Sequence, residues 1–127
     1  MQHSTDKPTK AEQAWIERVK AYGCICCLEA KFRPPWRTAT EIHHIVEGNR
    51  RLGHFYVLPL CPGHHRGVFT ARQRAAMQPD RVVAISHGLK RFVAAFGTER
   101  ELWEILRDHV GLHVEWPESK ILPRRLA

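Results

Sequence analysis

Five of the chain's nine histidines fall in the 27 positions from Glu41 to Gly67, which read E-I-H-H-I-V-E-G-N-R-R-L-G-H-F-Y-V-L-P-L-C-P-G-H-H-R-G. Imidazole is a base near neutral pH and a ligand for transition metals, and both uses gain when several rings share one place. The elements that must position these rings are legible in the same stretch. Glu41–Val46 is a short apolar run carrying His43 and His44, and Gly48-Asn49 with Gly53 is turn punctuation. His54–Leu60 is aromatic and β-branched enough for a returning strand, closed by Pro59. Cys61-Pro62 then opens a new element, with Pro62 suited to the first turn of a helix. A hairpin followed by a helix points His44 and His65 at a common space. Adjacent strand residues face opposite sides, so His43 and His44 can both turn inward only with a twist or bulge; otherwise one of them is structural.

A second pattern is that of a metal site. Cys24-x2-Cys27 and Cys61-x2-His64 are two short-spaced ligand pairs separated by 33 residues. A structural zinc ion takes four such ligands tetrahedrally, and each pair can bring two of them. The reading is a Cys3His zinc site tying the segment before the hairpin to the start of its helix. Cys26 is left over and could exchange with Cys24 or Cys27. A redox role for the C-x2-C pair lacks the βαβ context such motifs need.

The remaining chain supplies scaffold. Residues 1–8 are polar and loose. Thr9 and Glu12 form a capping-box signature, and Trp15, Ile16, Val19 and Tyr22 give a helical stripe before Gly23, so 9–22 is a helix. Residues 31–40 are a loop broken by Pro34-Pro35, in which Lys31, Phe32, Arg33, Trp36 and Arg37 could grip a phosphate backbone. Residues 70–111 are helical. Within them 70–78 is one helix, and Ser86 caps a second whose stripe is Leu89, Phe92, Val93 and Phe96. A Thr98/Glu101 box starts a third with Leu102, Ile105, Leu106 and Val110, and the last two form an αα-hairpin. Residues 112–127 are an extended tail with Arg124-Arg125 available for charge contacts. The formal net charge of +7 favours a polyanionic partner. No apolar run approaches the roughly 20 residues of a membrane span, so no membrane partner and a cytoplasmic location are expected.

His43-His44 on a strand, followed by L-C-P-G-H-H at a helix start, resembles the HNH endonucleases, whose fold is the ββα-metal finger. More narrowly, the run H-H-I-x-E-G-x-R-R-x-G-H-x-x-x-x-P-L-C-P-x-H-H-R-G is similar to the phage-encoded RecA-dependent (recombination-enhancement, or Ref-like) nucleases. So is F-x-x-x-F-G-T-E-x-E-L over Phe92–Leu102. The resemblance implies an α+β fold in a single domain: a small ββα-metal core over 23–69 with its zinc knuckle, flanked by the N-terminal helix and the C-terminal helices. It implies metal-dependent hydrolysis of DNA phosphodiester bonds, nicking or cutting DNA with a RecA filament as partner.

By the same resemblance His44 is the general base, and His43 and His65 hold the catalytic ion. His54 or Tyr56 stands where HNH enzymes place an asparagine, to orient His44 or to touch the metal. Arg50, Arg51 and Arg66 flank the site as candidates for holding substrate phosphates, contacts that position a backbone without reading sequence. Imidazole ligands suit Mn²⁺ at least as well as Mg²⁺, and Mg²⁺ is the cellular ion through abundance. The competing reading is a catalytically inactive zinc-binding module that only binds nucleic acid.

Overall fold

The computed structural model describes residues 7–30 and 40–117. The loop residues expected to grip a phosphate backbone, Lys31, Phe32, Arg33, Trp36 and Arg37, and the tail pair Arg124-Arg125, lie outside them. Helix α1 (Lys10–Tyr22) starts at the expected box: Thr9 Oγ1 accepts from the Glu12 N–H at 3.1 Å, and Glu12 Oε1 accepts from the Thr9 N–H at 2.7 Å. Its Trp15, Ile16 and Val19 are buried, at 1%, 8% and 0% exposure. Gly23 stops it with a φ of 93°. A one-turn helix, α2 (Ile25–Glu29), follows at once.

The central hairpin is more broken than its sequence suggests. Strand β1 (Glu41–His44) pairs antiparallel with β4 (Val57–Leu60), in the register Glu41↔Leu60 to His44↔Val57. Its tip is a separate ribbon, β2 (Val46–Glu47) against β3 (Arg50–Arg51), closed by Gly48 and Asn49 with φ of 58° and 65°. Positive φ at both central residues gives the turn whose twist matches the flanking strands. Between the two ladders only Ile45 lies on the outgoing side, opposite residues 52–56 on the return. The expected strand over His54–Leu60 therefore starts at Val57, and His54 sits in a loop. That loop has its own anchor. The Phe55 carbonyl accepts the indole N–H of both Trp15 and Trp103, each at 2.9 Å. Pro59 lies inside β4 rather than closing it, tolerated because β4 pairs with a single neighbour among the described residues.

Helix α3 (Pro62–Arg66) follows β4, and α4 (Ala71–Ala76) opens with a Thr70/Gln73 capping box. Ser86 does not cap a helix: Ile85–His87 is a 3-10 turn, and α5 (Leu89–Phe96) begins after Gly88. Of the predicted α5 stripe, Phe92 and Phe96 are buried and Leu89 is 50% exposed. Helix α6 (Glu99–Val110) has its Thr98/Glu101 box and buries Leu102, Trp103 and Leu106, while Ile105 faces out. The αα-hairpin is not the arrangement found. Helix α6 packs on α1 and β4, whereas α5 packs on the 3-10 turns Pro79–Arg81 and Ile85–His87. The short strand pair thus packs against both α1 and α6, which also touch each other, with α2 and α3 at its Cys61 end.

Candidate active site and metal centre

Cys24 and Cys61 each precede a one-turn helix and use the sulfur as its cap. Cys24 Sγ accepts the Cys27 N–H at 3.4 Å, and Cys61 Sγ accepts the His64 N–H at 3.3 Å. A ligand three residues into each helix thereby turns back toward its own cap. The four ligand atoms lie within 4.8 Å of one another. The Cys27 and Cys61 sulfurs are 3.7 Å apart, and His64 Nδ1 lies 3.5, 3.6 and 3.4 Å from the sulfurs of Cys24, Cys27 and Cys61. Tetrahedral bonds of about 2.3 Å to sulfur and about 2.0 Å to nitrogen predict edges of roughly 3.8 Å between sulfurs and roughly 3.5 Å from sulfur to nitrogen. The donor set fits one zinc ion.

Its surroundings fit too. Gln73, fully buried, donates its side-chain N–H to Cys61 Sγ at 3.2 Å and to Cys27 Sγ at 3.5 Å. His64 Nε2 donates to the Arg81 carbonyl at 3.0 Å, which leaves Nδ1 as the metal-facing nitrogen. Burial works against a charged Cys24, yet hydrogen bonds from Cys26, Cys27, Cys61 and His64 hold its thiol well below the usual range. Hydrogen bonds to Cys24 and Cys61 push the Cys27 thiol up. Three sulfurs crowded together compete for a single negative charge until a cation replaces their protons. Cys26 is settled as a core residue: it lies outside the cluster, and burial pushes its thiol well above the ordinary value.

Alternation along β1 decides the histidines. Glu41 and His43 share one face and His44 takes the other. His65, from α3, reaches the first face, where its ring centroid lies 5.4 Å from that of His43 with the planes at 75°. Glu41 Oε1 accepts from His65 Nδ1 at 2.8 Å, and Glu99 Oε2 accepts from His43 Nε2 at 2.7 Å. On the second face His44 Nε2 lies 3.1 Å from His54 Nδ1. The single space anticipated for His43, His44 and His65 is therefore two adjoining pairs, His43 with His65 and His44 with His54. Burial lowers the His44 pKa to about 4, and the charges of Arg51, His54 and His43 act in the same direction. At neutral pH His44 is an uncharged ring with a lone pair. Among the described residues, the Cys3His group is the one that brings three or more such ligand atoms together.

Arg66 is more committed than expected. Its Nε and Nη2 grip both oxygens of Glu41 at 2.7 to 3.2 Å, and that fork holds the Glu41 carboxyl down at about 2. A phosphate at Arg66 would share it with Glu41. Arg50 and Arg51 are exposed on β3 at the tip of the ribbon. Tyr56 does not enter the histidine site: its hydroxyl donates to the Glu115 carbonyl at 2.8 Å, and its ring packs on Trp103 and Trp116. Two residues that the histidine motif does not name, Glu41 and Glu99, contact these rings. Glu41 is signalled in the sequence as the i−2 neighbour of His43 on a strand; Glu99 lies inside the F-G-T-E-R-E-L run, with no local signal that ties it to His43.

These elements define a small α+β domain braced by a zinc-type Cys3His centre, with a half-open histidine site along one strand. The chain belongs to the recombination-enhancement, RecA-dependent nuclease family, whose model matches residues 8–110. Every site residue named above lies within that span. No curated protein matches the chain.

Proposed function

We propose that this chain is a metal-dependent endonuclease of the HNH type that hydrolyses DNA phosphodiester bonds, acting where a RecA filament presents the DNA. The observation that carries the reading is the pairing on β1: a neutral His44 backed by His54 on one face, and His43 meeting His65 on the other. His44 takes the proton from the attacking water, and His54 holds its ring in place. A base with a pKa near 4 is a weak acceptor, but it stays unprotonated at every pH the cell visits. His43 and His65 would hold the catalytic divalent ion, Mg²⁺ or Mn²⁺, which when bound supplies positive charge beside the scissile phosphate. Open coordination positions left to water and phosphate are what a catalytic ion requires. Both faces of β1 serve one phosphate only if the DNA lies across the strand's end at His44. Arg50 and Arg51, exposed on the ribbon beyond that end, would hold neighbouring phosphates. The Cys3His zinc takes no part in the chemistry; it fixes β4 and α3, and so fixes His65.

The test is nicking of supercoiled plasmid and of filament-bound DNA by zinc-loaded protein, with Mn²⁺ or Mg²⁺, comparing wild type and His44→Ala. Cutting by wild type and none by the variant supports the reading. A second reading, a zinc-braced module that binds DNA without cutting it, is favoured by one observation. His43 and His65 are each held by a carboxylate, and no third ligand joins them among the described residues. DNA binding by both proteins with cutting by neither, with or without the filament, selects it.

A further inference from the structure

We propose that Glu99, at the first turn of α6, is a positioning residue for His43: its carboxylate holds the His43 ring in the tautomer that leaves Nδ1 free to bind the divalent ion. The inference rests on the reading of His43 as a ligand. A carboxylate oxygen has no proton to give, so across the 2.7 Å contact the His43 Nε2–H must donate to Glu99 Oε2. Nε2 thereby carries the proton, and in the neutral ring that binds a metal ion Nδ1 is the nitrogen with the lone pair. His65 is arranged the same way in mirror image, with Glu41 accepting from Nδ1 at 2.8 Å and Nε2 left over. Histidine ligands commonly turn their second nitrogen to a carboxylate, which fixes the ring and raises its basicity.

The placement of Glu99 is not that of an incidental surface charge. Its side chain is 14% exposed, and it reaches a strand 56 residues away in the chain. The Thr98/Glu101 capping box fixes the start of α6, and Leu102, Trp103 and Leu106 seat the helix against the core, so the carboxylate is delivered on a rigid element. Glu101, two residues on, is spent on the cap, where its Oε1 accepts the Thr98 N–H at 2.8 Å. The two glutamates of the T-E-R-E run thus divide the work: one builds the helix end and the other serves the site.

The plain alternative is that Glu99 only complements the positive N-terminal end of α6 and pins the helix to the sheet. The experiment measures Mn²⁺ binding to zinc-loaded protein by calorimetry, and the His43 tautomer from ring nitrogen-15 shifts in the Mn²⁺-free protein. Its variants are Glu99→Ala, Glu99→Gln, His43→Ala and, as a same-helix control, Glu104→Ala. The expected result is Mn²⁺ binding about 10- to 100-fold weaker in Glu99→Ala, with the His43 tautomer no longer fixed and Glu104→Ala like wild type. Glu99→Gln, whose amide oxygen still accepts, keeps the tautomer and loses less affinity. Unchanged Mn²⁺ affinity and tautomer in Glu99→Ala, while His43→Ala loses binding, overturn the proposal alone. Glu99→Gln binding as poorly as Glu99→Ala with its tautomer intact also overturns it, because the carboxylate would then touch the ion itself. If His43→Ala binds Mn²⁺ as wild type does, the ligand reading of His43 fails and this inference falls with it.

Discussion

His64 and His65 are neighbours on one turn of α3, yet they belong to sites of opposite character. His64 is fully buried, faces three sulfurs through Nδ1, and has its other nitrogen bonded to a backbone carbonyl. His65 is 26% exposed and meets one histidine and one carboxylate. The first site is closed, its four ligands all supplied by this chain; the second is partly open to solvent. A closed set of ligands is what stability needs, and an open set is what turnover needs. Gly63, just before the pair, shows how tightly the closed side is built. A Cβ there would run into the Phe69 ring, which packs edge-on against His64.

The sharpest way to break this comparison is to remove each histidine in turn. His64→Ala, or stripping the metal with a chelator, should abolish cooperative unfolding, because zinc binding in such sites is worth about 10–16 kcal/mol that appears as folding energy. His65→Ala should keep zinc content and a melting curve close to wild type while nicking is lost. Circular dichroism melts and metal analysis check both, and a His65→Ala protein that unfolds as His64→Ala does would erase the distinction.

Next in size is His44→Ala, expected to lower the nicking rate about 10²- to 10⁴-fold, the contribution of a positioned general base, with zinc content unchanged.

The anchor under His54 comes third. Trp103→Phe removes one of two N–H donors to the Phe55 carbonyl and should cost about 1 kcal/mol in denaturant unfolding, with a larger proportional loss in nicking as the loop loosens. A variant with altered stability and unaltered nicking would show that the loop needs no such anchor.

The pH dependence follows from His44. Its folded pKa, about 4, lies below its unfolded value near 6.5, so the unfolded chain binds the extra proton first. This ring's contribution to stability is fully present above about pH 6.5 and is lost as pH falls toward 4. Nicking should show no inflection near 6.5, and a kinetic pKa there would argue against a buried neutral base.

The smallest effect is expected at the ribbon. Arg50→Ala with Arg51→Ala should weaken DNA binding without changing zinc content, and should flatten its salt dependence by about one unit of slope per lost phosphate contact.

What the sequence disclosed follows the range of the physics involved. The ligand pairs Cys24/Cys27 and Cys61/His64 could be read because a three-residue spacing is itself the geometry: each cap sulfur and the residue one turn in must meet. Helix starts at Thr9 and Thr98 were equally local. The local sequence puts His54 on a strand, whereas its loop is held by Trp15 and Trp103, indoles 40 and 48 residues from Phe55 that no window around His54 contains. The same distance hid Glu99 from His43. The separation of His43 from His44 was foreseeable from strand alternation, and alternation prevailed: the break at Ile45 comes one residue too late to turn both rings to one side.

The central claim is that an uncharged His44 at the end of β1 takes the proton in phosphodiester hydrolysis. The most direct measurement is the single-turnover nicking rate of zinc-loaded wild type and His44→Ala on RecA-filament-bound DNA with Mn²⁺. The account predicts nicking by wild type and a loss of at least about a hundredfold in the variant, with equal zinc content and melting temperature. Equal rates in the two proteins would contradict it.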